Sequence, residues 1–233
     1  MTHSHAMADA PHPRSWLVDQ AYAALRSAIL ASDYPPGHQV SAQELALRFG
    51  MSRTPVQEAA LRLQQEGLLE ILPKRGIRIL ALAPEDIREI YDVLIAIEAS
   101  AAATIATFTV EARHRVADRL DVATAAMAHA LVTGDLAQWG EADAAFHSAL
   151  IEGCGNRRFA AIVNTVNAQA HRARMLTVHL RPTLTRSIDD HHAISAALRN
   201  GDADPAHAAA RDHRRRARDE LLPLIDRIGL RHL

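Results

Sequence analysis

The chain has 233 residues, of which 26 are basic and 27 acidic, 48% are hydrophobic and one is a cysteine. This composition is typical of a globular protein with one large domain or two small ones, and it excludes collagen-like, disulfide-rich and disordered chains. No segment approaches the roughly 18 consecutive apolar residues that a membrane helix needs, and the N-terminus lacks the apolar core of a signal peptide. We therefore expect a cytoplasmic protein without a membrane partner.

The N-terminal part of the sequence predicts two helices after an irregular tail. Residues 1–13 show no periodicity, so we expect them to form a disordered tail outside the fold. From residue 16 to residue 31 apolar side chains recur at helical spacing, and the SDYPPG segment ends this first helix. Ser41, with Glu44 three residues later, is the signature of a capping box, which predicts a second helix that ends at Gly50.

A third helix and a hairpin follow after a tight turn. Ser52 is the predicted N-cap, Pro55 lies in the first helical turn, where its missing N–H costs little, and the helix continues to Gly67. The β-prone segments LLEIL and IRIL are separated by PKRG, which is typical of a β-hairpin. These elements predict a winged helix-turn-helix over residues 14–80. A small α+β domain without a nucleic-acid role is the alternative.

Polar side chains lie at the two places where a winged domain meets DNA. The N-terminal end of the third helix is the part of a recognition helix that reaches base edges. Basic residues at a hairpin tip can contact the phosphate backbone or the minor groove. On these grounds the predicted DNA-contacting residues are Ser52, Arg53, Thr54, Gln57, Lys74 and Arg75.

From residue 84 onward the sequence predicts helices only. Residues 81–84 form the expected linker, and apolar stripes between turn residues predict an all-α bundle over residues 85–229. The predicted helices span residues 84–107, 110–133, 135–153, 156–179, 184–200 and 204–228. The expected fold class is therefore mainly α: a winged helix-turn-helix of three helices and a β-hairpin, followed by an all-α helical bundle.

Four polar residues stand out against the apolar stripes of the bundle. Asp143 and His147 are four residues apart and share one helix face, which allows a carboxylate and an imidazole to bind one metal ion. His191 and His213 lie on the last two predicted helices and point inward by helical phase. Three imidazoles and one carboxylate suit a divalent ion, in first place zinc, with nickel, manganese and iron as alternatives. The other explanation is chance, because the chain has 14 histidines.

The segment VSAQELALRFGMSRTPVQEAALRLQQEGLLEILPKRGIRI resembles the DNA-binding domain of GntR-type bacterial transcription regulators, above all in its SRTPV, EGL and RG elements. In that family an arginine usually follows SRTPV, and a basic residue is common just before the Glu-Leu pair of the second helix. This chain has Gln57 and Gln43 at those places. The resemblance implies that Arg53 reads guanine, whereas glutamine pairs better with adenine, so the operator is expected to depart from the family's usual half-site. Gln43 and nearby Ser41 complete the predicted DNA-contacting set.

Residues 84–220 resemble the FCD ligand-binding domain of the FadR subfamily. The signature elements of that domain appear here as DAAFH (143–147), GN (155–156), DHHAI (190–194) and Asp212-His213. Within the tandem pair of histidines, the family frame selects His191 as the metal ligand. His192 is then expected to face solvent or an interface.

One position departs from the family pattern. The first helix of an FCD domain normally carries an arginine in a Tyr-x-x-Arg-x-x-x-Glu pattern, whereas YDVLIAIE keeps Tyr91 and Glu98 and has Leu94 in that place. Because a carboxylate effector normally needs a cation besides the metal, Arg172 and Arg174 are the substitutes that we predict, with Tyr91 as a further effector contact. The alternative for both arginines is a solvated surface position.

The resemblance implies a homodimeric transcription regulator, a repressor like most such proteins, that binds a palindromic DNA operator and senses a small organic acid at the metal site. Two alternatives stay open: the metal ion itself is the signal, or the helical domain is a metal-dependent enzyme. We expect no enzyme, because the bundle offers no second carboxylate motif beyond Asp143 for acid–base catalysis. The basic run RDHRRRAR (211–218) is expected to spread its charges around the helix surface.

Overall fold

The structure is a computed structural model that describes residues 13–31, 33–81, 83–181 and 184–228. The chain divides into two compact units, one up to Leu80 and the other from Ala81 onward. The tail predicted for residues 1–13 lies outside the described residues, except for Pro13, with which the first helix begins. None of the helices in the described ranges combines the length and the apolar character that crossing a membrane requires.

The first unit contains three helices and a small sheet. Its elements are α1 (Pro13–Leu30), β1 (Gln39–Val40), α2 (Ala42–Phe49), α3 (Arg53–Gln65), β2 (Leu69–Leu72) and β3 (Gly76–Ile79). The sheet is antiparallel with the strand order β1-β3-β2. The sequence predicts the hairpin of β2 and β3 but not β1, because a strand of two residues is too short to show the alternation that marks a strand.

Local signals in the sequence set both ends of α2. The hydroxyl of Ser41 accepts the backbone N–H of Glu44 at 3.1 Å, and the carboxylate of Glu44 accepts the N–H of Ser41 at 2.7 Å. The predicted capping box is therefore present. Gly50 ends the helix in the left-handed conformation, with φ +65°.

A cluster of polar contacts ties α3 to α1. Tyr22 of α1 donates a hydrogen bond of 2.5 Å to Glu66, which follows the last turn of α3. The guanidinium of Arg62 lies 4.3 Å from the centre of the Tyr22 ring and pairs with Asp19 at 2.6 Å. Burial and the hydrogen bond to Glu66 raise the pKa of Tyr22 to about 12. These contacts, together with the apolar packing between the two helices, fix the direction of α3 within the unit.

The second unit is a bundle of helices. The elements are α4 (Pro84–Ala106), α5 (Val110–Thr133), α6 (Leu136–Gly153), α7 (Arg157–Thr177), a 3-10 turn (Val178–Leu180), α8 (Thr185–Asn200) and α9 (Ala203–Ile228). All six predicted helices are present, and no strand follows β3 in the described part of the chain. The predicted fold class, mainly α with a winged helix-turn-helix before a helical bundle, is confirmed.

The linker predicted for residues 81–84 is shorter in the structure, because Pro84 already begins α4. Proline suits this position, since its fixed φ fits the first turn and its missing N–H would have no helical partner. The carboxylate of Asp86 accepts the backbone N–H of Ala83 at 2.9 Å and so caps the same end. The helix predicted from residue 84 therefore begins at that residue, which the predicted linker over residues 81–84 also includes.

A continuous apolar core runs between α4 and α9, the two helices that pack together most extensively. Ile87 and Leu94 of α4 and Leu221 and Ile225 of α9 are completely buried in it. Polar side chains from α4, α6, α8 and α9 also enter this apolar interior. Burying a charged or polar group without partners is unfavourable. These buried polar groups therefore indicate a candidate functional site inside the bundle.

We predict that Gly76→Ala lowers the free energy of unfolding of the first unit by more than Gly50→Ala. Both glycines are left-handed, with φ +91° and +65°, a conformation that costs an L-residue about 1–2 kcal/mol. A Cβ at Gly76 would also lie 2.7 Å from the carbonyl oxygen of Val40, whereas nothing lies within 4 Å of a Cβ at Gly50. Urea denaturation of both variants measures the difference. Equal losses would contradict the close approach of β1 to β3.

Candidate functional site

Three imidazole rings from three helices meet inside the second unit. His147 of α6, His191 of α8 and His213 of α9 are each at most 3% exposed. Nε2 of His213 lies 3.3 Å from Nε2 of His191 and 3.4 Å from Nε2 of His147. Nitrogen atoms of the three rings lie within 4.8 Å of one another. Such convergence is typical of ligands around one metal ion.

Asp143 adds a buried carboxylate one turn before His147 on α6. Its Oδ1 lies 3.7 Å from Nε2 of His147 and 3.9 Å from Nε2 of His191, and its Oδ2 lies 2.9 Å from Nε of Arg174. Burial by itself raises the pKa of Asp143, but the charge of Arg174 and then His147 hold it well below its ordinary value. The structure thus brings together all four residues that the sequence predicts as metal ligands, with the carboxylate ionised.

A buried ion pair that sequence reasoning missed lies behind His147. Glu98 of α4 accepts hydrogen bonds from Nε of Arg214 on α9 at 2.7 Å and from Nη2 of the same side chain. Oε2 of Glu98 also lies 3.0 Å from Nδ1 of His147. Although burial raises the pKa of Glu98, Arg214 and then His147 hold that pKa below its ordinary value. An ionised carboxylate only accepts, so Nδ1 of His147 carries a proton in this contact, and in the neutral form of the ring Nε2 is the nitrogen with a free lone pair.

A second carboxylate orients His213 in the same way. Oδ2 of Asp190 lies 3.2 Å from Nδ1 of His213, and the Asp190 carboxylate also pairs with Arg216. Burial lowers the pKa of His213 to about 4, against the opposing hydrogen bond with Asp190. Burial, and then His213, also lower the pKa of His191 well below its ordinary value. The rings of His191 and His213 are therefore neutral near pH 7, the form in which imidazole binds a metal.

The donor set fits a divalent ion. With their protons on Nδ1, His147 and His213 direct bare Nε2 atoms at each other over 3.4 Å, and two acceptors cannot form a hydrogen bond. A cation among these nitrogens would satisfy the buried lone pairs, which are otherwise costly. Zinc, nickel, manganese and iron all accept imidazole nitrogen together with carboxylate oxygen.

The two arginines predicted as effector contacts are buried, so the solvated alternative is wrong. Arg172 and Arg174 of α7 are at most 2% exposed, and burial lowers the pKa of Arg172 to about 10. Among the described residues, Nη1 and Nη2 of Arg174 have no hydrogen-bond acceptor. The hydroxyl of Tyr91, the third predicted contact, is also buried without a hydrogen-bond partner in the described part of the chain. Of these three side chains, Arg174 lies against the carboxylate of Asp143, with its Nε 2.9 Å from Oδ2.

The expectation that all charges of the basic run at residues 211–218 lie on the helix surface is wrong for Arg214. The sequence predicts surface charges, but Arg214 is 1% exposed because α9 packs along α4 and directs it at Glu98. One sequence signal points to such a residue: Glu98 is retained, whereas the arginine expected one turn earlier is Leu94. A buried glutamate needs a cation from elsewhere, but local pattern does not tell which helix supplies it.

In the first unit, the residues predicted to contact DNA fall on three segments. Arg53, Thr54 and Gln57 are exposed near the N-terminus of α3, Ser52 and Gln43 are exposed at the starts of α3 and α2, and Lys74 and Arg75 are exposed in the turn between β2 and β3. The backbone of Lys74 has the left-handed conformation, with φ +62°. Ser41 differs from the others, because its hydroxyl is engaged in the capping box.

Comparison with known proteins identifies the class. Residues 17–79 match the bacterial regulatory proteins of the gntR family, and residues 89–216 match the FCD domain. A winged helix-turn-helix and an FCD domain in one chain define a DNA-binding transcription regulator rather than an enzyme. The chain belongs to the GntR family of bacterial regulators that carry an FCD domain.

Relatives and solved structures agree with this assignment. An uncharacterized HTH-type transcriptional regulator in the TAR-I ttuE-ttuC' intergenic region of Agrobacterium vitis is 48% identical over 134 residues, which cover 58% of this chain and 78% of the relative. The HTH-type transcriptional repressor RspR of Escherichia coli is 26% identical over 203 residues, or 87% of each chain. The structure of E. coli McbR/YncC is similar, with a TM-score of 0.76 at 18% sequence identity, and the match covers 91% of this chain and 98% of the McbR/YncC chain. At this identity the similarity supports the fold alone.

We predict that His191→Ala weakens zinc binding by more than about tenfold, whereas His192→Ala leaves it unchanged. The two histidines are neighbours on α8, but His191 is completely buried among the other rings and His192 is exposed. Competition with a chelator of known affinity measures zinc binding, and circular dichroism checks the fold of both variants. A larger loss of zinc affinity in His192→Ala than in His191→Ala would show that His192 is the metal ligand.

Proposed function

We propose that the protein is a cytoplasmic, homodimeric repressor that binds a palindromic operator and leaves it when a small organic acid occupies a metal centre in the FCD domain. The observation that carries this proposal is the convergence of three buried imidazoles and an ionised Asp143 beside Arg174. The relative RspR of Escherichia coli is named as a transcriptional repressor, which supports the direction of regulation. A dimer suits the recognition geometry, because one small domain makes few base contacts.

The charges of the site favour an anionic effector. Within the described residues, the two fully buried acids, Glu98 and Asp143, are already offset by Arg214 and Arg174. A divalent ion would add two positive charges in an interior where unbalanced charge is unfavourable. A carboxylate would offset part of that charge. It would also accept hydrogen bonds from the two amino groups of Arg174 that have no acceptor among the described residues.

We predict that Arg174→Met weakens binding of the effector acid by roughly 10–100-fold, since hydrogen bonds to charged groups contribute about 1.5–3 kcal/mol. Zinc-loaded protein is screened by thermal shift against mono- and dicarboxylic acids, because a bound ligand raises the melting temperature. Arg158→Met is the matched control, since Arg158 lies on the same helix but is exposed. An acid that stabilises Arg174→Met as strongly as the unaltered protein would contradict this role.

The same screen, together with operator affinity measured with and without zinc, decides between an acid sensor and a metal sensor. The metal-sensing alternative draws support from Leu94, because the cation that the resemblance places there is absent. If no acid stabilises the zinc-loaded protein but zinc alone changes operator affinity, the metal ion is the signal. If an acid acts only on the zinc-loaded protein, the effector proposal stands.

The exposed face of α3 suggests how the operator is read. Arg53 and Gln57 are one helical turn apart, about 6 Å along the helix axis, which is less than two base-pair steps of about 3.4 Å. Arginine pairs with the O6 and N7 atoms of guanine, and glutamine with the N6 and N7 atoms of adenine. We therefore propose that each half-site carries a guanine and an adenine within two base pairs of each other.

We predict that Arg53→Ala lowers operator affinity by about 1–3 kcal/mol, or roughly 10–100-fold, through loss of one bidentate base contact. Fluorescence anisotropy with a duplex selected from random sequences measures the affinity. Arg115→Ala is the matched control, because Arg115 is an exposed arginine of the second unit. Unchanged affinity of Arg53→Ala for the selected duplex would contradict the proposed docking of α3.

A further inference from the structure

One oxygen atom links the buried ion pair to the cluster of histidines. Oε2 of Glu98 accepts from Nε of Arg214 at 2.7 Å and lies 3.0 Å from Nδ1 of His147, while Oε1 accepts from Nη2 of Arg214. All three side chains are at most 2% exposed. The guanidinium therefore holds the carboxylate in the plane and position from which it contacts the imidazole.

The position of the Glu98 carboxylate decides which nitrogen of His147 is favoured to carry the proton. A carboxylate oxygen 3.0 Å from Nδ1 offers only an acceptor, so a hydrogen bond forms when the proton is on that nitrogen. Without an acceptor in this place, no contact would favour Nδ1. Nε2, the nitrogen that faces the other imidazoles, would then carry the hydrogen in part of the molecules.

We infer that Arg214 is a positioning residue of the proposed metal centre: by fixing the Glu98 carboxylate, it keeps the proton of His147 on Nδ1 and its Nε2 free to bind the ion. This inference rests on the metal centre of the proposed function. Among the described contacts, Arg214 reaches the imidazole of His147 through Glu98, so its contribution is orientation. Groups that orient a ligand through a hydrogen bond commonly affect metal affinity by about 10–100-fold.

What matters is that a cation lies beside Glu98, and not which helix carries that cation. Leu94 lies one turn before Glu98 on α4 and is completely buried. Residues four apart on a helix are neighbours on its surface, so an arginine at position 94 would reach Glu98 from the same helix. Moving the cation from α9 to α4 should therefore preserve the orientation of His147.

Two double variants of the full-length protein test this inference. Glu98→Leu/Arg214→Leu replaces the whole ion pair by apolar groups, a change that buried pairs often tolerate without loss of stability, and it should weaken zinc binding by about 10–100-fold. Leu94→Arg/Arg214→Leu should bind zinc as tightly as the unaltered protein. Arg215→Leu is the control, because Arg215 is the exposed neighbour on α9. Chelator competition measures zinc affinity, and thermal melting of the metal-free proteins checks folding.

A second measurement does not depend on bound metal. Long-range proton–nitrogen NMR of the metal-free protein reports which nitrogen of His147 is protonated. We expect Nδ1 in the unaltered protein and in Leu94→Arg/Arg214→Leu, and Nε2 in part of the molecules of Glu98→Leu/Arg214→Leu. Unchanged protonation and zinc affinity in Glu98→Leu/Arg214→Leu would overturn the inference. If no variant binds zinc but the protonation shifts as expected, the orienting role of Arg214 stands and the zinc centre of the proposed function fails.

Discussion

The structure of the second unit depends on keeping charge balanced where water is excluded. Glu98 and Asp143 are ionised in the interior because Arg214 and Arg174 lie against them. Each of these charges would be strongly unfavourable alone, since pairing only offsets the cost of removing it from water. The partners come from four different helices, so the pairs restrict how α4, α6, α7 and α9 pack against one another.

This charge balance also bears on the proposed response to a ligand. A metal ion and an organic acid would enter a site whose internal charges are already paired, so the dication and the anion would have to be accommodated together. An effector shifts an equilibrium only when it binds one arrangement better than another. Because the two ion pairs join four helices, a changed charge at their meeting point would act on several of these helices at once.

Much of the fold and of the candidate site could be predicted from the sequence because the relevant signals are local. The Asp143–His147 pair follows from helical spacing, and the capping box at Ser41 follows from residues three apart. Glu98 and Arg214 were missed as a pair because they are 116 residues apart and only the packing of α4 on α9 brings them together. Arg214 was also hidden in a run of charges, where helical phase alone does not tell which arginine faces the core.

X-ray absorption at the zinc edge of the zinc-loaded, full-length protein tests the central claim most directly, because it counts the ligands of the bound ion. The proposed metal centre predicts scattering from three imidazole rings and from carboxylate oxygen at about 2.0–2.2 Å. Fewer than three imidazoles would contradict it. Sulfur at about 2.3 Å, which would implicate Cys154, would also contradict it, since Cys154 is a buried free thiol outside the cluster.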